Sequence, residues 1–430
     1  MRYQPLATDL YIRNRQKFCD RLPVGAMAIF HSNDFMPTNA DGTMPFRQNN
    51  DLFYLSGIDQ EESILLLFPD AFHEKFREVL FVKETNEEIR IWEGDKLSKD
   101  QASEFSGIKT VHWTEAFEKV LDSLMPQVKR VFLNSNEHLR AQKLVETRDD
   151  RFRKWMMERY PLHQYERSAP IMHELRSVKE KAEQERIREA CAITHKGFYR
   201  VMEAAEAGIK EYELEAEMIR EFTKNGSRGF PYEPIVASGG NACVLHYTEN
   251  HDTIRDGELI LMDFGAEYGN YASDMTRVIP VNGRFTERQR NVYNAVLRVQ
   301  REAMKLLRPG TYLDDYHREV GKLMEEELIG LDLLDKQDLE KQDPEAPLYK
   351  RFFPHGTSHH IGLDVHDVGS PTQPVQEGMV FTVEPGIYIR EEGIGVRLEN
   401  DVVVTRDGVD DLMGDIPIEA ESIEAVMNER

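Results

Sequence analysis

The sequence predicts an α+β chain of two domains, a smaller α/β domain over residues 1–170 and a larger mixed domain over residues 171–430. Three observations predict it. A chain of 430 residues is too long for one ordinary hydrophobic core. Its strand patterns fall in pairs separated by long helical patterns, which is the α+β arrangement. The clearest punctuation lies near residue 170, where Ala169-Pro170 is followed by Ser177-Val178-Lys179-Glu180, a capping-box pattern that opens the second domain.

The elements follow in order. In the first domain, Ser63–Phe68 and Glu78–Val82 read as strands and Leu139–Tyr160 as a helix. In the second, Ile187, Cys191, Thr194, Phe198, Met202 and Ala205 recur at helical spacing. Ser177–Ala207 is therefore predicted as one long amphipathic helix, with Gly208 able to end it. Glu258–Asp263, Asp274–Val281, Met379–Glu384 and Val396–Val404 are predicted strands. Thr286 with Gln289 caps a helix that runs to Leu307, before Pro309-Gly310. The acidic stretch 325–347 reads as a surface insertion.

Composition excludes some classes of function. The balance of 54 basic against 77 acidic side chains leaves a net charge of -23, which repels phosphate backbones and argues against nucleic acid as a partner. The N-terminal stretch MRYQPLATDLYIRN lacks the apolar core of a signal peptide, and the longest apolar run, around Ile64–Phe68, is too short to cross a bilayer. No membrane partner and a cytoplasmic location are expected. Three cysteines, Cys19, Cys191 and Cys243, are an odd and sparse set that fits a reducing compartment.

The chemistry starts with carboxylates in strand patterns. Asp263 ends the apolar run Glu258-Leu-Ile-Leu-Met-Asp263, and Asp274 sits in Ser273-Asp-Met-Thr-Arg. A symmetric hairpin turning between Tyr268 and Gly269 makes them cross-strand neighbours with Cβ atoms about 5 Å apart. Like charges so placed are destabilising unless something positive lies between them. Glu384 and Glu399 form a second pair about a midpoint between Glu391 and Glu392. Four histidines, His355, His359, His360 and His366, fall in a single short segment between these pairs. A further segment, Gly239-Gly-Asn-Ala-Cys-Val-Leu-His246, is predicted to deliver a histidine to a cleft after a short strand. Carboxylates with one or two imidazoles make a hard, oxygen-rich site that suits Mn²⁺, Co²⁺ or a similar ion rather than a thiolate-bound structural zinc. Two such ions would activate water and polarise a carbonyl or phosphoryl group.

Asp263, Asp274, His359, Glu384 and Glu399 stand, in that order, in the contexts MDFG, SDMTR, HGTSHHIGLDVHDVG, VEPGIY and GVRLEN. In this they resemble the five-ligand set of the pita-bread metallopeptidases, which include methionine aminopeptidase, prolidase and aminopeptidase P. Phe46-Arg-Gln-Asn-Asn-Asp-Leu-Phe-Tyr-Leu-Ser-Gly57 and the HYTEN segment at 246–250 look most similar to the aminopeptidase P branch. The resemblance implies a pita-bread domain over 171–430 and a creatinase/prolidase-like N-terminal domain that serves oligomerisation and shapes the substrate channel. It implies two divalent metal ions, Mn²⁺ first and Co²⁺, Zn²⁺ or Fe²⁺ as alternatives, with Asp263 on one ion, Asp274 and Glu399 bridging, and His359 and Glu384 on the other. A hydroxide between the ions would attack the Xaa-Pro carbonyl, and Glu384 would shuttle its proton. His246 and His366 would contact substrate and stabilise the oxyanion, and His355 would line the proline side. Arg397 and Tyr388 would orient the carboxylates and close the site, and His360 would not be a ligand. Asp41 and Trp92 resemble residues that related tetramers place at a neighbouring subunit's site, which makes a homo-oligomer, dimer or tetramer, an expectation. The substrate implied is a peptide with penultimate proline. The rival readings are a prolidase restricted to Xaa-Pro dipeptides, an inactive pita-bread interaction module, and, from the carboxylates alone, a two-metal phosphoesterase.

Overall fold

The computed structural model describes residues 2–142, 144–370 and 372–429. The chain forms two compact units, Pro5–Arg176 and Ser177–Arg430, the latter including the N-terminal residues up to Gln4.

The first unit is built on a six-stranded mixed sheet. Its strands are β1 (Ala26–His31), β2 (Ile64–Leu67), β3 (Glu78–Val82), β4 (Thr110–Trp113), β5 (Arg130–Leu133) and β6 (Gln164–Arg167), in the order β4-β3-β2-β1-β5-β6. Every residue of β1 and β2 is buried, so the sheet is covered on both faces and its inner strands read as continuous apolar runs. Met27 and Ile29 of β1 join Ile64 and Leu66 of β2 in one core with Phe117, Leu121 and Met156. The alternate residue Phe30 packs edge-on against Phe18 of helix Thr8–Cys19, ring centroids 5.3 Å apart. The helix expected over Leu139–Tyr160 is Arg148–Arg159, and residue 143 of that expectation lies outside the described residues. Thr147 sets the later start, because its side chain accepts from the Asp150 amide while Asp150 caps in return.

The second unit carries β7 (Ile235–Ser238), β8 (Leu259–Phe264), β9 (Glu267–Tyr268), β10 (Tyr271–Ala272), β11 (Met275–Pro280), β12 (Val380–Val383), β13 (Gly386–Ile389), β14 (Ile394–Arg397), β15 (Asn400–Thr405) and β16 (Gly408–Asp411). These form the sheets β11-β8-β7 and β12-β15-β16 and the ribbons β10-β9 and β13-β14. Long helices, Lys181–Ala204, Glu211–Lys224, Glu287–Leu306 and Leu313–Gly330, accompany them. Helix Glu287–Leu306 starts at the expected Thr286–Gln289 capping box. The acidic stretch 325–347 begins inside helix Leu313–Gly330, so it is not wholly an insertion.

The helix predicted over Ser177–Ala207 is broken at its start. Helix Ala169–Ser177 ends there, and the next helix begins at Lys181 with Glu180 and Glu183 as its capping pair. Between them Val178 pairs as a bridge with Met379, and the Lys179 amide donates to Gly378 O at 2.9 Å. Ladder pairing with the chain that leads into β12 therefore takes the residues that Ser177 would otherwise cap. Val396–Val404 is likewise two strands, because the chain leaves the ribbon β13-β14 after Arg397 and enters the sheet with β12 at Asn400.

Candidate metal centre

The centre grows from two antiparallel registers. In the first, Asp263 faces Thr276, not Asp274, and Phe264 faces Met275. The turn is centred on Gly269 and Asn270, with φ of 58° and 72°, and Tyr268 pairs with Tyr271. A two-residue hairpin turn of this hand needs positive φ at both central positions, which Tyr268 resists and Gly-Asn accepts. The correction is a slip of two residues, so both aspartates keep the same face. Tyr232 joins them: its hydroxyl oxygen is 2.8 Å from Asp263 Oδ1 and 2.5 Å from Asp274 Oδ1. One hydroxyl proton serves one carboxylate, so the other is left facing negative charge.

The second register is unbroken across two sheets. Val383 pairs with Asn400, Gly386 pairs with Arg397, and the Leu398 amide donates to Pro385 O at 3.2 Å between them. Glu384 and Glu399 therefore face each other at the junction, about the midpoint expected from their spacing. His359 enters from the segment beside β12, its amide donating to Thr382 Oγ1 at 3.2 Å. Its Nδ1 lies 3.0 Å from the carbonyl of His360, which assigns the proton to Nδ1 and makes Nε2 the lone-pair nitrogen. That Nε2 is 3.5 Å from Asp274 Oδ2 and 3.6 Å from Glu384 Oε1.

A divalent cation fits this set. One donor atom each from Asp274, His359 and Glu399 lies within 4.8 Å of the others. Burial, then the charge of Asp263, pushes Asp274 well above the ordinary carboxylate range. Burial, then the charge of Asp274, does the same to Glu399. Burial and mutual repulsion outweigh the Tyr232 hydrogen bond at Asp274 and the nearby Arg397 at Glu399, and the donors are those that hard or borderline divalent ions prefer. Asp263 adjoins the three through the Tyr232 hydroxyl it shares with Asp274, and Glu384 adjoins them through His359.

A basic and hydroxylic frame holds the carboxylates. Arg397 reaches Asp263 Oδ2 at 2.6 Å, Tyr388 Oη at 2.9 Å and Thr276 Oγ1 at 3.0 Å. Thr276 in turn donates to Glu399 Oε2 at 2.6 Å. Burial of Arg397 favours its neutral form, but Tyr388, Asp263 and Glu399 outweigh this and hold it firmly charged. His355 Nε2 lies 2.8 Å from Tyr388 Oη, and its Nδ1 is 3.7 Å from Glu384 Oε2. Burial, then the charge of Arg397, lowers the His355 pKa to about 3, so the imidazole is neutral.

The remaining sequence-singled residues fall in different places. His366 packs its ring 4.3 Å from that of His359. His360 turns away and lies 4.3 Å from the ring of Phe381. His246 is exposed and is carried by a turn after the 3-10 helix Gly239–Cys243, where a strand was expected. Cys243, Val244 and Leu245 of that segment line a cavity of about 500 Å³ with Tyr388, Arg351 and Arg390. Asp41 and Trp92 lie exposed on the first unit, Trp92 at 82%. Sequence reasoning missed Tyr232, Thr276 and the buried pair Lys179–Asp367, whose Nζ and Oδ2 are 3.0 Å apart beside His366. Phe230-Pro-Tyr232-Glu-Pro234 carries no pattern that marks Tyr232, and only the fold brings it to the aspartates.

The profile of metallopeptidase family M24 matches residues 185–406, which hold every residue of this centre, and that of the aminopeptidase P N-terminal domain matches residues 11–132. The chain belongs to metallopeptidase family M24. As an M24 protein it is a hydrolase with a pita-bread domain behind an aminopeptidase P-type N-terminal domain. It is 36% identical to the Xaa-Pro aminopeptidase of Escherichia coli K12 over 96% of both chains. Among solved structures, the low-pH form of E. coli aminopeptidase P superposes with a TM-score of 0.89 at 33% identity, covering 99% of each chain. The same enzyme with the inhibitor Pro-Leu gives a TM-score of 0.86 at 33% identity and the same coverage. No helix among the described residues of this M24 chain is long and apolar enough to cross a membrane.

Proposed function

We propose that this M24 chain removes the first residue of a peptide when proline is second, and that Asp263, Asp274, His359, Glu384 and Glu399 hold two divalent ions, Mn²⁺ first among them. The cluster of buried Asp274 and Glu399 with half-buried His359, donor atoms within 4.8 Å, carries this reading. The full-length likeness to Xaa-Pro aminopeptidase supports the substrate. So does Pro-Leu as an inhibitor of the E. coli enzyme, since it resembles what remains after the first residue leaves.

Two such ions, when bound, supply Lewis acidity and lower the pKa of a captured water. Glu384 moves a proton at Oε2 from that water toward the leaving amine. His355 is neutral and, with Tyr388, lines the proline side. His246 and His366 donate to the scissile carbonyl oxygen as it gains charge. Arg397 and Tyr388 keep the carboxylates in register. A Xaa-Pro amide has no N–H and a fixed ring, so a pocket shaped for the ring selects it where peptidases that need the donor fail. The cavity beside Tyr388, about 500 Å³, supports this reading as room for the chain beyond proline.

Homo-oligomerisation through the first unit, with Asp41 and Trp92 at a neighbouring site, is part of the same proposal. Its support is the exposure of Ile91 at 79% and Trp92 at 82%. A reducing, cytoplasmic setting is supported by Cys19, Cys191 and Cys243 all being free thiols.

The test is hydrolysis of Ala-Pro-Ala and Ala-Pro by metal-stripped protein with and without Mn²⁺. Mn²⁺-dependent release of alanine from the tripeptide, with little from the dipeptide, is the expected result. Preference for the dipeptide would make the chain a prolidase. Inactivity on both with metal bound would overturn the reading.

A further inference from the structure

Glu211 is a buried carboxylate outside the metal cluster, and it accepts five hydrogen bonds. It is the first residue of helix Glu211–Lys224 and has no exposed surface. Oε1 accepts from the Ser238 amide at 2.8 Å, from Ser238 Oγ at 2.7 Å and from Asn241 Nδ2 at 3.3 Å. Oε2 accepts from Tyr247 Oη at 2.7 Å and from the Asp252 amide at 3.0 Å. The Glu211 amide in turn donates to Asp252 O at 3.1 Å. No cation pairs with it among the described residues. Both carboxylate oxygens are thus used, and two of the five donors are backbone N–H groups that can only donate.

The five donors come from the beginning, middle and end of one segment, residues 238–252, and that segment carries His246. Tyr247 is buried and tied to Glu211, whereas His246, one residue earlier, is exposed and has no hydrogen bond of its own among the described residues. Asn250, at φ 45°, holds the far side of the turn, accepting from the Val236 amide at 2.9 Å and donating to Pro234 O at 2.9 Å. A side chain with no partner is placed by its backbone alone. Here Asn250 holds one side of that backbone, and Glu211 alone ties its beginning, middle and end together.

We propose that Glu211 is a positioning residue for His246, a clasp that fixes the segment so that the imidazole meets the substrate carbonyl. The inference rests on the role given to His246 above. Glutamine at 211 keeps the shape but turns one acceptor into a donor, and at least one backbone N–H, that of Asp252 or Ser238, then loses its partner. A shift of about 1 Å in a substrate-contacting group costs up to about 100-fold in rate.

The experiment is a double-mutant cycle between Glu211→Gln and His246→Ala on Ala-Pro-Ala, with bound metal counted and folding followed by circular dichroism. Glu211→Gln is expected to lower kcat about 10–100-fold with little change in KM, with native circular dichroism and undiminished metal. In the His246→Ala background it is expected to add less than about twofold. Tyr247→Phe, a milder change that removes one of the five bonds, is expected to lower kcat in the same direction and to be equally non-additive. Full activity of Glu211→Gln, or losses that multiply with His246→Ala, would overturn the proposal. So would loss of metal in Glu211→Gln or Tyr247→Phe. A silent His246→Ala alongside active parent protein would remove the role of His246 and this inference with it, but leave the peptidase reading standing.

Discussion

Arg397 Nη2 lies 2.6 Å from Asp263 Oδ2, and the same guanidinium spans Tyr388 Oη and Thr276 Oγ1. One planar fork thus ties a candidate ligand, a pocket tyrosine and, through Thr276, Glu399. Lysine keeps the charge but offers a single compact head in place of that fork. Arg397→Lys should therefore lower kcat about 10–100-fold while metal content stays at the parent's level. Metal analysis alongside turnover checks this, and an unchanged kcat would mean the fork is dispensable.

Tyr232 sits where two like charges meet. Phenylalanine there removes the hydroxyl that Asp263 and Asp274 share and leaves the ring volume in place. Tyr232→Phe should weaken Mn²⁺ binding about tenfold or more without unfolding the chain, because outer contacts to ligands carry effects of this size. Calorimetric titration of the stripped protein reads it directly, and an unaltered affinity would remove Tyr232 from the centre.

How far the site was legible depends on what sets each residue's place. Glu384 and Glu399 could be paired from spacing because one register runs through Pro385 and Leu398 without a bulge. Asp263 and Asp274 were placed two residues off, because spacing locates a midpoint but the backbone chooses which two residues turn, and Gly269-Asn270 turn most easily. The helix capped at Thr286 was legible because its signal is local. Ser177 misled because Val178 and Lys179 pair with residues some 200 positions away, and no local pattern records that. Tyr232, Thr276 and Glu211 act through contacts the fold alone creates.

Lys179 and Asp367 form an ion pair whose side chains are each only 1% exposed. Lys179 also pairs by its backbone with the chain entering β12, and Asp367 follows His366, so the pair joins two segments that converge on the centre. Gly362 leaves room for it, since a Cβ there would lie 2.3 Å from Asp367 Oδ2 and 2.8 Å from Lys179 Cε. Lys179→Met removes the cation from a buried ion pair, and breaking one side of such a pair costs about 3–5 kcal/mol. Denaturant unfolding of the metal-free protein should show a loss of that size. The double variant Lys179→Met/Asp367→Leu should recover a large part of it, because the buried carboxylate is then removed along with its cation. A double variant no more stable than the single would show that packing, not charge, holds these segments.

Asp149 gives the first unit a pH-dependent stability. Burial, then the charges of Asp51 and Asp150, raise its pKa to about 7, against a partial offset from Arg148. Asp34 adds to the rise, and His31, buried beside it with Nδ1 3.8 Å from Asp149 Oδ1, stays neutral because burial lowers its own pKa far below the ordinary value. The folded value lies above the unfolded value of about 3.9. The folded unit therefore holds the proton more tightly than the unfolded chain does. This contribution, as much as about 4 kcal/mol, is fully present below about pH 4 and is lost progressively as pH rises through about 7. Asp149→Asn keeps the neutral shape and cannot ionise, so it should match the parent near pH 4 and be progressively more stable toward pH 8. Thermal midpoints of both proteins across that range measure the difference. If the gap between variant and parent stays constant with pH, Asp149 is ionised in the folded protein at neutral pH and the buried His31 environment is wetter than its packing against Phe152 and Phe117 indicates.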